Sequence, residues 1–212
     1  MRAVRPLPLL LTVRLLPVVV LATAGWAWTT GPYAPNSTPA ATPRPASSPS
    51  AEAAPAYKAP PDPCAVVSEE TVKDLVPGAK PAGKELSLAA PKRRRTCSWS
   101  ALDGFDYRWL DVSYDVLASE KAARTAYGKR VLATGENTGG LGDQASVSVD
   151  LTTEDKQQTR EAVVLVRSRN ALVTVTHNGS NFESQKAPGA EVIREGAVRV
   201  VRDALAELQG AG

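Results

Sequence analysis

Residues 92–116 read KRRRTCSWSALDGFDYRWLDVSYDV, and the alternation in this stretch decides the fold. From Thr96 to Leu102, Cys97, Trp99 and Ala101 fall on one side of an extended chain. Asp103-Gly104-Phe105-Asp106 is a turn. Tyr107–Val116 then alternates again, with Leu110, Val112, Tyr114 and Val116 on the apolar side. A period of two is the mark of a half-buried strand, and two such runs joined by Asp-Gly predict a β-hairpin.

Working outward, Ser68 is placed to cap a helix. Glu69 and Glu70 stand in its first turn, Val67 and Val72 at the staple positions, and Pro77-Gly78 at its end. Residues 79–92 show no periodicity. After the hairpin, Ser119 caps a helix running to about Ala133, with Ala123, Tyr127 and Val131 spaced four apart. TGENTGGLGDQA is a glycine-rich turn. Three β runs come next, Ser146–Thr152, Glu161–Arg167 and Ala171–His177. An amphipathic helix over Glu191–Leu208 closes the chain, with its stripe on Ile193, Ala197, Val200, Ala204 and Leu208. The order α-β-β-α-β-β-β-α, with short turns between strands, predicts an α+β domain: a mostly antiparallel sheet with helices packed against it.

Thirteen of the 17 prolines lie in residues 1–63 of the 212, which divides the chain into three parts. Residues 1–28 carry Arg2, Arg5 and Arg14 ahead of an apolar run, and no acidic residue precedes Glu52. Charge before an apolar run places the rest of the chain outside a membrane. The run fits either a membrane anchor with Trp26 and Trp28 at the outer interface, or a signal peptide cleaved near Ala24. Residues 29–61, rich in Pro, Ala, Ser and Thr, form a semi-extended tether that cannot bury enough surface to fold. Residues 62–212 make one extracytoplasmic domain.

The formal charge of +3 belongs to the N-terminus. From residue 59 onward there are 20 Lys+Arg against 21 Asp+Glu, a net of −1, which excludes a globally basic nucleic-acid-binding domain. Cys64 and Cys97 are the only cysteines. Outside the cytosol such an isolated pair reads as a disulfide closing a loop of about 34 residues. Two separate thiols or half a metal site is the alternative, but the ligands a zinc site would need are missing nearby. No metal or cofactor is expected.

Asp62-Pro63-Cys64-Ala65-Val66, Cys97-Ser98-Trp99 and Gly140-Leu141-Gly142-Asp143-Gln144-Ala145 together resemble a family of actinobacterial secreted proteins and lipoproteins known as domain of unknown function 3558. The element order is similar to PsbP-like α/β sandwiches. The resemblance spans roughly residues 62–208 and implies a cysteine pair and a cell-envelope setting, with no activity attached. Gly25 stands where a lipoprotein would carry its cysteine, so the chain departs from the lipid-anchored pattern.

Local chemistry is sparse. GLGDQA has the letters of a dinucleotide fingerprint but follows a helix and precedes a strand, the reverse of what pyrophosphate binding requires. His177, the one histidine, ends a β run at Thr-His-Asn-Gly with no nucleophile or orienting acid nearby. Asp111 and Asp115 share a strand face but lie about 13 Å apart, too far to act as a pair. The candidate binding surface is therefore Arg93, Arg94 and Arg95 with the outward-facing aromatics Tyr107 and Trp109. Trp99 is expected in the core, against the disulfide. The expected function is a membrane-tethered, non-enzymatic binding module of the cell envelope, whose partner is an envelope protein or an anionic envelope component. A small hydrolase with a site assembled from distant residues, or a structural wall protein, are the alternatives.

Overall fold

The computed structural model describes residues 57–87 and 90–211. The expected anchor or signal segment and most of the tether lie outside these residues. Among the described residues, three helices, α1 (Glu69–Leu75), α2 (Glu120–Arg130) and α3 (Ala190–Gly210), accompany seven strands. These are β1 (Lys84–Glu85), β2 (Arg94–Asp103), β3 (Asp106–Val116), β4 (Glu136–Asn137), β5 (Gln144–Glu154), β6 (Gln157–Ser168) and β7 (Ala171–Asn181). They form one sheet in the order β1-β2-β3-β7-β6-β5-β4, with every neighbouring pair antiparallel. The α+β class follows, and the expected element order gains two strands of two residues each, β1 and β4, too short to show a period.

The alternation read from the sequence becomes rows across the sheet. Cys97, Val112, Val175, Val164 and Val147 are successive register partners, and so are Trp99, Leu110, His177, Ala162 and Val149. Both rows lie on the core face. There α3 covers them with Ile193, Ala197, Val200, Ala204 and Leu208, all fully buried. Tyr114 Oη donates to the Ala204 carbonyl at 2.9 Å, tying sheet to helix. The second face is different. Ala123 and Tyr127 of α2 pack there against Leu165 and Leu172, and cover only the half of the sheet nearest the β6–β7 turn.

Turn chemistry agrees. The β2–β3 loop is two residues long, and Gly104 in its first central position has φ +59°, matching the loop to the twist of the strands. In the GLGDQA turn, Gly142 has φ +55°, and a Cβ there would lie 2.6 Å from the Arg167 carbonyl oxygen. The motif is a tight corner against β6, with Leu141 buried beneath it.

The folded unit begins earlier than Asp62. Tyr57, which composition assigns to the tether, is 6% exposed. Its N–H donates to Asn170 Oδ1, and Asn170 Nδ2 donates back to the Tyr57 carbonyl and to the Leu117 carbonyl, all at 2.9 Å. The chain therefore enters the domain at the pole formed by the β6–β7 turn. Composition misses this because one tyrosine among prolines carries no periodicity.

Candidate functional site

Arg93 and Arg95 form a clasp within the chain, while Arg94 between them stays exposed. Arg93 Nε donates to Asp115 Oδ1 at 3.0 Å, and Arg130 Nη2 reaches Asp115 Oδ2 at 2.6 Å from the end of α2. Burial pushes the Asp115 carboxyl up, but the two guanidiniums, Arg130 and then Arg93, outweigh it and hold the group below its usual range. Arg94 Nε lies 3.4 Å from Ser113 Oγ. Arg95 grips Glu85 with two nitrogens, at 2.6 and 2.9 Å, and Asp62 Oδ2 lies 3.4 Å away. That hydrogen bonding holds the Glu85 carboxyl below its usual range. Cys64 and Cys97 form a disulfide with their Cα atoms 5.2 Å apart, so the start of β2 is tied to the Asp62–Cys64 segment both covalently and electrostatically. Trp99 is buried beside it, as expected, its Nε1 donating to the Pro81 carbonyl at 2.9 Å.

Tyr107 and Trp109 lie elsewhere. The register pairs Arg94 with Asp115 and Ser100 with Trp109, which puts the arginines about 20 Å along the strands from the indole. The structure does not bring the five residues together.

Around Trp109 the second face of the sheet is left uncovered by α2. One row reads Ser100, Trp109, Asn178, Glu161, Asp150, and the next reads Ser98, Asp111, Thr176, Val163, Ser148. Trp109 is 38% exposed and its Nε1 donates to Asp111 Oδ1 at 2.7 Å. Towards the loop end of these strands, Tyr107 stacks obliquely on Phe182 with ring centroids 6.2 Å apart. Leu102, Phe105 and Phe182 are each at least half exposed. Clustered exposed apolar side chains of this size mark contact surfaces. On the β5–β6 side, an open groove of about 540 Å³ is lined by Asp150, Glu154, Asp155 and Glu161 with Thr152 and Thr159. Two polar atoms on this face, Ser148 Oγ and Asn178 Oδ1, are buried without a hydrogen-bond partner among the described residues.

His177 does not end a strand. β7 continues four residues further, to Asn181, and His177 points into the core at 1% exposure. Its Nδ1 lies 3.1 Å from the Ile193 carbonyl oxygen and its Nε2 3.3 Å from that of Leu75. The ring joins β7 to α1 and α3. Among the described residues no group of three or more His, Cys, Asp or Glu is arranged to hold a metal ion. No helix among them is long and apolar enough to cross a membrane.

No protein-family model matches this sequence, and no curated protein does either. A solved structure from Bacteroides thetaiotaomicron is similar at 10% identity with a TM-score of 0.33, over 56% of this chain. The match spans 47% of that protein's length and carries no argument about fold or function.

The uncovered half-face is what sequence reasoning missed. Its signal was present in the polar positions alternating with the core, Ser98, Ser100, Asp111, Thr176, Asn178 and Glu161. Alternation alone does not say which part of a polar face a helix will cover.

Proposed function

We propose that this protein is an extracytoplasmic binding module, held at a membrane by residues 1–28 and spaced from it by the proline-rich segment. It engages another envelope component through the uncovered half-face and performs no chemistry of its own. The observation that carries this reading is the two-pole layout. The chain enters at Tyr57, clamped to Asn170 at one end of the strands. Phe105, Phe182 and Leu102 stand at the other end, ten residues along β3, which is about 33 Å. The exposed apolar side chains thus stand at the end of the strands remote from the Tyr57–Asn170 clamp. The disulfide supports an oxidising compartment. The motif resemblance to the actinobacterial envelope family supports the same setting.

Placing a photo-reactive phenylalanine analogue at Trp109 in intact cells tests the reading, with the same group at Lys121 on α2 as control. One discrete adduct from position 109, absent from position 121, is the expected result. Adducts from neither position would leave a structural spacer. Hydrolytic turnover by the purified protein, lost on substitution within this face, would make the protein an enzyme instead.

A further inference from the structure

We infer that the uncovered half-face takes a cationic polypeptide segment, with lysine or arginine side chains laid across Trp109 towards Asp150. The inference rests on the binding-module reading and names the chemistry of its partner. On the five long strands, the positions of this half-face carry Asp111, Asp150, Glu154 and Glu161 and no lysine or arginine. Its cations stand at the margins: Lys84 in β1, the register partner of Ser98, and Lys156 in the β5–β6 turn. Three carboxylates elsewhere are paired closely, Asp115 with two arginines, Glu85 with Arg95 and Asp143 with Arg167. Those of the half-face stand without an ion pair among the described residues. In the row from Trp109 to Asp150, Glu161 and Asp150 are separated from the indole by one and two intervening strands, about 14 Å in all.

The remaining groups point the same way. The indole face attracts a cation, and Asp111, held beside it by the Trp109 N–H, adds a negative charge at the ring edge. Asn178 Oδ1, between Trp109 and Glu161 in the row, is an acceptor without a donor, and its Nδ2 is already directed at Glu161 Oε2 at 3.3 Å. Ser148, 2% exposed and on the same face as Asp150 two residues on, has an unpartnered hydroxyl. Carboxylates grouped around one exposed aromatic call for a positively charged ligand. Such a surface repels the anionic polymers that the arginine clasp alone would have suggested. An extended segment with a basic residue at every second position places its charges about 7 Å apart on one side, close enough to meet the indole and both carboxylates of the row at once.

The test is calorimetric titration of the full-length protein in neutral detergent with an octapeptide alternating arginine and threonine. A serine–threonine octapeptide and a neutral N-acetylglucosamine oligomer serve as comparators. Saturable binding of the arginine peptide alone is expected, weakening about tenfold or more between about 50 and about 500 mM salt. Trp109→Ala, and separately the double variant Asp150→Asn/Glu161→Gln, each weaken it about tenfold, while Lys121→Ala leaves it within about twofold. These side chains are solvent-facing, and circular dichroism with an unchanged melting temperature shows that the variants fold. Absence of saturable binding, or binding that none of the face variants weakens, overturns the inference. Trp109-dependent binding of the neutral oligomer in place of the peptide replaces the cation with a glycan. If the peptide fails while the cross-linker at position 109 still gives its adduct, this inference falls and the binding-module reading stands. If both fail, the broader reading falls with it.

Discussion

Arg93 Nε and Asp115 Oδ1 are 3.0 Å apart, joining the loop before β2 to the end of β3. Arg130 closes the same carboxylate from α2, so one buried anion holds three separate elements. Asp115→Asn keeps the shape and removes the charge. The arginines remain half in water, which limits the penalty to about 2 kcal/mol, below that of a fully buried pair. Urea unfolding at neutral pH checks the value. Because the folded carboxyl titrates below its unfolded value, its contribution is complete above pH ~4 and is lost as pH falls further. The Asn variant lacks that acid-side loss.

His177 produces a second pH dependence at milder acidity. Burial lowers its basicity, opposed by the Ile193 and Leu75 carbonyls and reinforced by the nearby Arg108 charge. The unfolded chain therefore binds the proton first as pH falls. Stability is full above pH ~6.5 and declines below it, until the folded form also protonates. His177→Gln, whose amide can donate to one of these carbonyls without titrating, flattens the stability profile between pH ~6.5 and ~5. An unchanged slope in the variant would remove the histidine as its source.

The same ring explains a glycine in the middle of α3. A Cβ at Gly196 would lie 2.8 Å from His177 Nδ1 and 3.0 Å from Leu75 Cδ2. Gly196→Ala gains about 1 kcal/mol of helix propensity, yet forces a pinned ring and a packed leucine apart at a cost of about 2–3 kcal/mol. The net expectation is a loss of about 1–2 kcal/mol, read from thermal or urea unfolding.

Asp155 and Lys156, joining β5 to β6, have φ of 47° and 72°. This is the left-handed pair that a two-residue hairpin turn needs, and Asp-Gly suits it better than Asp-Lys. Lys156→Gly is expected to stabilise the domain by about 0.5 kcal/mol, the relief of strain exceeding the added freedom of the unfolded chain. A loss of stability would mean that the lysine side chain makes a favourable contact.

Much of this architecture is legible because it depends on local periodicity. The hairpin from Thr96 to Val116, the cap at Ser68, the stripe of α3 and the burial of Trp99 beside Cys97 all follow from spacing. The rest depends on partners distant in sequence. Arg93 meets Asp115 across 22 positions and Tyr57 meets Asn170 across 113, and nothing near either residue announces the other. Spacing ends β7 too early because Thr-His-Asn-Gly has the composition of a turn. Pairing with β3 on one side and β6 on the other keeps that segment extended. Arg93 and Arg95 look unpaired in the sequence for the same reason: their partners Asp115 and Glu85 are brought to them by the fold.

The central claim, an oxidised domain held outside a membrane by its own N-terminal segment, is tested most directly by intact mass. The native protein is recovered from membrane and medium fractions and weighed before and after reduction. Full-length protein in the membrane fraction, gaining ~2 Da on reduction, is the predicted result. A species beginning near Gly25 in the medium would replace the anchor with a cleaved signal. Native protein with no gain on reduction, and with both cysteines open to alkylation, would contradict the account.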